Sequence, residues 1–370
     1  MKTFLAALLL AAGLFCPCAD AQQNYVSRKM YEAYKAAAEQ GRSDAQFQLG
    51  FCYYKGLGVE KDYMEAVKWY RKAAEQGNAD AQCELGNAYY EGMGVVKNLA
   101  EAVKWNRKAA ESGYAQAQYN LGKAYYFGDG VEKNYAEAVK WSRKAAEQEY
   151  AMGQYNLGGF YYNGEGVAKD YVEAVKWYRK AAEQGYAQAQ YNLGVAYRNG
   201  DGVAKDPIEA VKWNRKAAES GYAQAQYDLG NAYYYGYGVE KDYAEAVKWS
   251  RKAAEQGNAR GQYNLGVCYA KGEGVAKDYV EAAKWYRKAA EQGDAEAQSN
   301  LGVCYANGNG VAKDYAEAYA LWNLASTTHK GSADYRDKVG KMMTPQQIAD
   351  GQKRTKELRE QIEAKFKSSR

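Results

Sequence analysis

The chain has 370 residues and sets 50 Lys and Arg against 45 Asp and Glu, a net charge of +5, which is far from the concentrated positive charge that nucleic-acid binding needs. A single histidine, His329, excludes a His-based metal cluster and leaves a serine nucleophile without an oriented base. The 38 Tyr and 38 Gly against 3 Pro indicate a few motif positions copied many times.

At the start, Lys2 precedes an apolar run from Phe4 to Phe15 and then Ala19-Asp20-Ala21, the small-x-small pattern of signal-peptidase cleavage. The expectation is an export signal over 1–21, cut after Ala21, and a periplasmic or secreted mature chain. The run is shorter than the roughly 20 apolar residues of a membrane span, and no later stretch is apolar enough to be one. Phe15 stands where a lipobox before Cys16 needs a small residue, so a lipid anchor is not expected. Residues 22–41 then carry only the second half of the unit that follows.

That unit spans 42–329. Leu-Gly recurs at Leu49, Leu85, Leu121, Leu157, Leu193, Leu229, Leu265 and Leu301, each 36 residues after the last, and Trp69 to Trp285 keep the same spacing. Each unit reads as two helices. Ala117, Leu121, Ala124 and Tyr125 share one helical face, and Gly128-Asp-Gly130 ends that helix. The second helix opens at Asn134 with Glu137 three residues on, a capping box in which the glutamate is expected to reach back to the cap backbone. Ala138, Val139, Trp141 and Ala145 form its buried stripe. One two-helix unit cannot bury such a face alone, so the units must stack into a solenoid. The residue after the tryptophan runs Tyr70, Asn106, Ser142, Tyr178, Asn214, Ser250, Tyr286, a second period of 108 residues that points to duplication of a three-unit block.

Lys-Trp-Tyr-Arg-Lys-Ala-Ala-Glu-Gln-Gly (Lys176 to Gly185), Ala-Gln-Tyr-Asn-Leu-Gly (Ala189 to Gly194) and Gly-Asp-Gly-Val (Gly200 to Val203) closely resemble the Sel1-like repeat, a relative of the tetratricopeptide repeat. The resemblance implies an all-α fold, a right-handed α-solenoid superhelix of helix-turn-helix repeats. It also likens the eighth unit, with Leu321 in place of Trp and then Met343 to Ile348, to the terminal unit of secreted bacterial members. Residues 330–370 would then be capping helices, with Thr344 as a cap and Pro345 at the first helical position.

In tetratricopeptide arrays the first helices line the concave surface, and aligning Leu-Gly carries that role here onto Tyr119, Tyr155, Tyr191 and Tyr227 in one column. A second column holds Tyr54, Tyr90, Tyr126, Tyr162, Arg198 and Tyr234. Between them lie Asn156 and Asn192, beside the non-uniform Lys123, Val195 and Asn231. Tyrosine offers flat apolar area with a polar tip, and asparagine can donate to and accept from a peptide backbone. The same Tyr and Asn columns could instead tie one repeat to the next; the non-uniform column is the better place for specificity. The basic stripe of Lys68, Arg71, Lys72 and their copies reads as a solvated face with local ion pairs.

The resulting expectation is a non-catalytic scaffold for a protein or peptide partner, without cofactor or metal. The alternative is a binder of carbohydrate or cell-wall glycan, since stacked Tyr beside Asn also suits sugar rings. A β-lactamase-like hydrolase, suggested by cysteine-rich Sel1-like proteins, ranks last because the chain has no Ser-x-x-Lys and no paired cysteines in each repeat. Cys52, Cys83, Cys268 and Cys304 are expected to be free thiols, since equivalent positions about 10 Å apart exceed disulfide reach.

Overall fold

The computed structural model describes residues 17–368, and side chains from 26 to 367. The apolar run of the expected export signal and the Cys16 and Cys18 side chains lie outside the described residues. Among those residues there are nineteen helices and no strand, the all-α solenoid of tandem helical pairs that the 36-residue period dictates. No helix is long and apolar enough to cross a membrane among the described residues.

Two compact units divide the chain, Met1–Asp170 and Tyr171–Arg370. The first unit contains α1 (Pro17–Glu39), α2 (Ser43–Lys55), α3 (Tyr63–Glu75), α4 (Ala79–Glu91), α5 (Leu99–Glu111), α6 (Ala115–Phe127), α7 (Tyr135–Glu147) and α8 (Ala151–Asn163). The second contains α9 (Tyr171–Glu183), α10 (Ala187–Asn199), α11 (Pro207–Glu219), α12 (Ala223–Tyr235), α13 (Tyr243–Glu255), α14 (Ala259–Lys271), α15 (Tyr279–Ala290), α16 (Ala295–Asn307), α17 (Tyr315–Ala325), α18 (Gly331–Gly340) and α19 (Pro345–Ser368). Within each unit, successive helices pack on one another.

The starts of the second helices follow from local chemistry. Asp62 Oδ1 accepts from the Met64 and Glu65 amides at 2.8 and 3.0 Å, capping α3. The expected return bond from the glutamate does not form. In α7 the Asn134 amide donates instead to Tyr125 O at 2.9 Å. Glu137 turns outward to Lys140 at 2.8 Å and to the Trp141 indole N–H at 3.1 Å. The reciprocal box appears only at α19, where Gln347 Oε1 accepts from the Thr344 amide at 2.9 Å and Thr344 Oγ1 from the Gln347 amide at 3.3 Å.

Both motif glycines mark close approaches. A Cβ on Gly86 of Leu-Gly would lie 2.4 Å from Asn106 Nδ2 and 3.2 Å from Ala102 O, so its absence lets α4 and α5 cross closely. The second glycine of each Gly-x-Gly turn does more than end a helix. Gly94 has φ +71°, and a Cβ there would meet Tyr63 O, 31 residues earlier, at 2.1 Å. That turn is therefore a backbone contact with the preceding repeat.

Alanine, leucine and tryptophan fill the remaining core. Ala138, Val139, Trp141 and Ala145 are buried as the helical period requires. The first helices also bury a glutamine whose side chain reaches the unpaired carbonyls at the end of the helix before it: Gln82 Nε2 donates to Ala74 O at 3.0 Å. In the second unit, α19 packs along α17, and Arg354 meets Glu317 at 2.8 Å while Lys365 reaches Glu291 at 2.8 Å.

Candidate partner-binding face

Most motif residues are occupied by the repeat itself. In the first unit Lys68 pairs with Glu65 at 2.8 Å, Arg71 donates to Tyr89 Oη at 2.6 Å, the Lys72 ammonium sits 3.9 Å over the Trp69 ring, and Gln76 donates to Gln46 Oε1 at 2.7 Å. The basic stripe is thus a set of local pairs, as its sequence indicates, with Arg71 serving as a tie to the next helix that the sequence alone does not reveal.

The tyrosine columns prove to be partly ties as well. Tyr90 donates to Asp129 at 3.2 Å and Tyr126 to Glu165 at 3.3 Å in the first unit, and Tyr234 to Glu273 at 2.5 Å in the second. In each case the acceptor stands in the Gly-x-Gly turn of the next repeat. Tyr54 packs its ring 5.4 Å from Tyr63, and Tyr119 lies 5.7 Å from Tyr150 with Lys123 over its face at 5.8 Å. Tyr191 lies 5.3 Å from Tyr222, and its phenol is pushed up to about 12, chiefly by burial. Burial likewise raises the phenols of Tyr119 and Tyr227.

The asparagine column joins repeats. Asn120 Nδ2 donates to Asn87 Oδ1 at 3.0 Å and to Asn106 Oδ1 at 3.1 Å, and Asn264 Nδ2 to Asn231 Oδ1 at 2.7 Å. Tyr155, Asn156 and Tyr162 on α8, and Asn192 and Val195 on α10, are all half-buried. Arg198 is exposed, and it pairs with Asp228 at 2.7 Å, the Asp228 side chain being only 8% exposed. Burial holds that carboxyl above its usual range while the guanidinium opposes the shift. This pair went unrecognised in the sequence, although the signal is there: the one cation in the tyrosine column faces the one anion in the asparagine column, one repeat apart.

The non-uniform column borders the cavities. In the first unit Asn87 and Lys123 line one of about 180 Å³, together with Tyr90, Asn106, Asn120 and Asp129. In the second unit Asn231, Val267 and Val303 line one of about 420 Å³, with Tyr234, Tyr263 and Lys271 around them. Tyr235, Lys271 and Ser250 belong to this second site and escape sequence reasoning, because exposed ends of first helices and the residue after tryptophan look like ordinary repeat positions.

The cysteines behave as small hydrophobes. Cys52, Cys83, Cys268 and Cys304 are buried and unbridged, and burial raises the thiols of Cys52, Cys268 and Cys304 to about 11. His329, expected to lack an orienting neighbour, hydrogen-bonds through Nδ1 with Ser332 Oγ at 2.9 Å in the turn that opens α18.

The Sel1 repeat model matches eight consecutive stretches, 43–78, 79–114, 115–150, 151–186, 187–222, 223–258, 259–294 and 295–327. A protective antigen of uropathogenic Escherichia coli displaying an SLR fold is similar at 33% identity and TM-score 0.56, over 90% of this chain and 95% of that one. A Sel1 repeat protein of Oxalobacter formigenes is similar at 32% identity and TM-score 0.61, over 83% of this chain and 89% of that one. Among curated proteins none matches. Sel1 repeat proteins are in general protein-interaction scaffolds, and by its eight matched repeats and the inter-repeat ties that maintain them, this chain belongs to the Sel1 repeat family.

Proposed function

We propose that the protein is a non-catalytic, exported scaffold that holds a protein partner on the face presented by its first helices. One observation carries this reading. The motif residues of the second helices are engaged in ties within and between repeats, whereas the non-uniform positions Asn87, Lys123, Asn231, Val267 and Val303 border the cavities. Packing alone would keep those positions uniform, as it keeps Leu85, Leu121, Leu229 and Leu265 uniform. Export is supported by the Lys2, Phe4 to Phe15 and Ala19-Asp20-Ala21 pattern.

The test is photo-crosslinking from Lys123, Val195 and Val267 in the native envelope, with Val96, a turn residue 88% exposed, as the control position. One dominant protein captured at the face positions and absent from Val96 supports the scaffold. Equal capture at all four positions, or none, refutes it. Cell fractionation with N-terminal sequencing of the mature chain tests export: a new terminus at Gln22 is expected, and an intact Met1 terminus in the cytosol contradicts it.

A further inference from the structure

The larger cavity, in the second unit, has a floor and a wall of distinct chemistry. At its floor is Ser250, 2% exposed, whose hydroxyl lies over Gly230 and makes no hydrogen bond among the described residues. The walls come from Val267, Val303 and the rings of Tyr263 and Tyr286, and Tyr235 stands at the rim, stacked on Tyr237 at 5.5 Å. At the position of Ser250 the next repeat has Tyr286, whose ring lies over Gly266 and 6.0 Å from Tyr263. Ser250 leaves the corresponding ring out.

We infer that this cavity receives an aromatic side chain with a polar tip, a tyrosine above all, carried by the partner. The inference rests on the scaffold reading and names what its second unit recognises. Three features select that class. The volume, about 420 Å³, accommodates an aromatic ring with room for the backbone that bears it. The apolar walls suit a ring face, and offset or edge contacts with Tyr263 and Tyr235 add to area burial. Ser250 Oγ is a single spare donor and acceptor at depth, which matches one phenol hydroxyl. A sugar ring brings several hydroxyls, each costly to bury unpaired, while the Asn264 amide is already committed to Asn231 at 2.7 Å.

Saturation-transfer NMR of N-acetyl-L-tyrosinamide with the full chain tests this, with N-acetylglucosamine as the competing probe. Transfer to the ring protons is expected, with an affinity in the millimolar range suited to one side chain. Ser250→Tyr should weaken it by about tenfold or more, since the variant fills the cavity with the side chain that the chain already carries at Tyr286. Its melting temperature should stay within a few degrees. If that variant fails to fold, Val267→Trp closes the cavity from the opposite wall and should give the same loss. Undiminished transfer in the folded variant overturns the inference, and so does displacement of tyrosinamide by the sugar. Loss of tyrosinamide binding in Ser250→Tyr with crosslinking from Lys123 intact supports the pocket. No Ser250-dependent binding with crosslinking intact sinks the pocket and leaves the scaffold standing, whereas absent crosslinking sinks the scaffold alone.

Discussion

Seven second-helix ends close on a glycine with φ between +85° and +97°, from Gly41 to Gly293, and one closes on Glu149 with φ +61°, the lone positive-φ residue other than glycine among the described residues. The geometry at this end matches its sister repeats: Glu149 N donates to Ala146 O and Tyr150 N to Ala145 O, both at 3.1 Å, as Gly113 and Tyr114 do to Ala110 and Ala109. An L-residue in the left-handed region costs about 1–2 kcal/mol. Glu149→Gly removes that strain but returns about 0.4–1 kcal/mol of unfolded-chain entropy, for a net gain of about 0.5–1 kcal/mol. The side chain is exposed, so truncation forfeits no core contact. Repeat arrays open locally, which makes amide exchange a more direct assay than global melting. The Tyr150 amide should exchange about two- to fivefold more slowly in Glu149→Gly. Conversely, Gly113→Ala, at φ +97° with nothing within 4 Å of the added methyl, should speed exchange at Tyr114, since the strain there is purely conformational. Unchanged exchange in both variants would refute the assignment of strain to Glu149.

The Arg198–Asp228 pair should behave as a unit. Arg198→Ala strands a buried carboxylate and is expected to cost about 1–3 kcal/mol, toward the low end because Arg198 is half exposed, while Arg198→Tyr with Asp228→Asn, which restores the pattern of the other repeats, should be near neutral in denaturant melts. Additive losses in the double variant would contradict the pairing. Thiol labelling at pH 8 should leave Cys52, Cys83, Cys268 and Cys304 unreactive in the native chain and label all four in guanidinium, because each is buried and the thiols of Cys52, Cys268 and Cys304 are raised to about 11. Tyr191 and Tyr263, both pushed up to about 12 chiefly by burial, bind their protons more tightly folded than unfolded. Their contribution to stability is complete below pH about 10 and is lost as pH rises through about 12, so alkaline unfolding with cooperative phenolate absorbance is expected in that window. Simple titration of every tyrosine near pH 10 without unfolding would count against it.

The repeat, the helix starts and the buried alanines were legible because each depends on residues within one or two turns. Asp62 caps α3 through amides two and three residues away. Features set across repeats were not. The second glycine of each turn reads as a helix terminator, yet Gly94 is required by a carbonyl 31 residues earlier. Glu137 completes a capping pattern on paper, but Lys140 and the Trp141 indole compete for its oxygens and Tyr125 O takes the cap amide. The tyrosine and asparagine columns were assigned to one face correctly as columns, while their mutual bonds depend on acceptors in the next repeat that no single repeat displays.

The residue after the tryptophan links these ties to recognition. It sits over the Leu-Gly glycine, so its size decides what fills the gap beside the first helices. Tyr70 fills it with a ring 5.7 Å from Phe47, and Asn106 bridges it through Asn120 at 3.1 Å. Ser142 is fully buried with its hydroxyl unpaired, whereas Ser250, 108 residues later, faces a cavity. The difference between these two serines cannot arise from the motif, which is Tyr-Ala-Glu-Ala-Val-Lys-Trp-Ser-Arg-Lys-Ala-Ala-Glu around both. It arises from the neighbouring first helices, where Gly153 and Met152 follow Ser142 but Gly261 and Arg260 follow Ser250, and where Phe160 stands in the place of Cys268. A buried phenylalanine closes the gap above one serine and a buried cysteine leaves it open above the other. Cys268→Phe should therefore close the second-unit cavity by the means the first unit already uses, abolishing tyrosinamide binding without touching Ser250. Retained binding in that variant would mean that the cavity is bounded by something other than the side chain at this position.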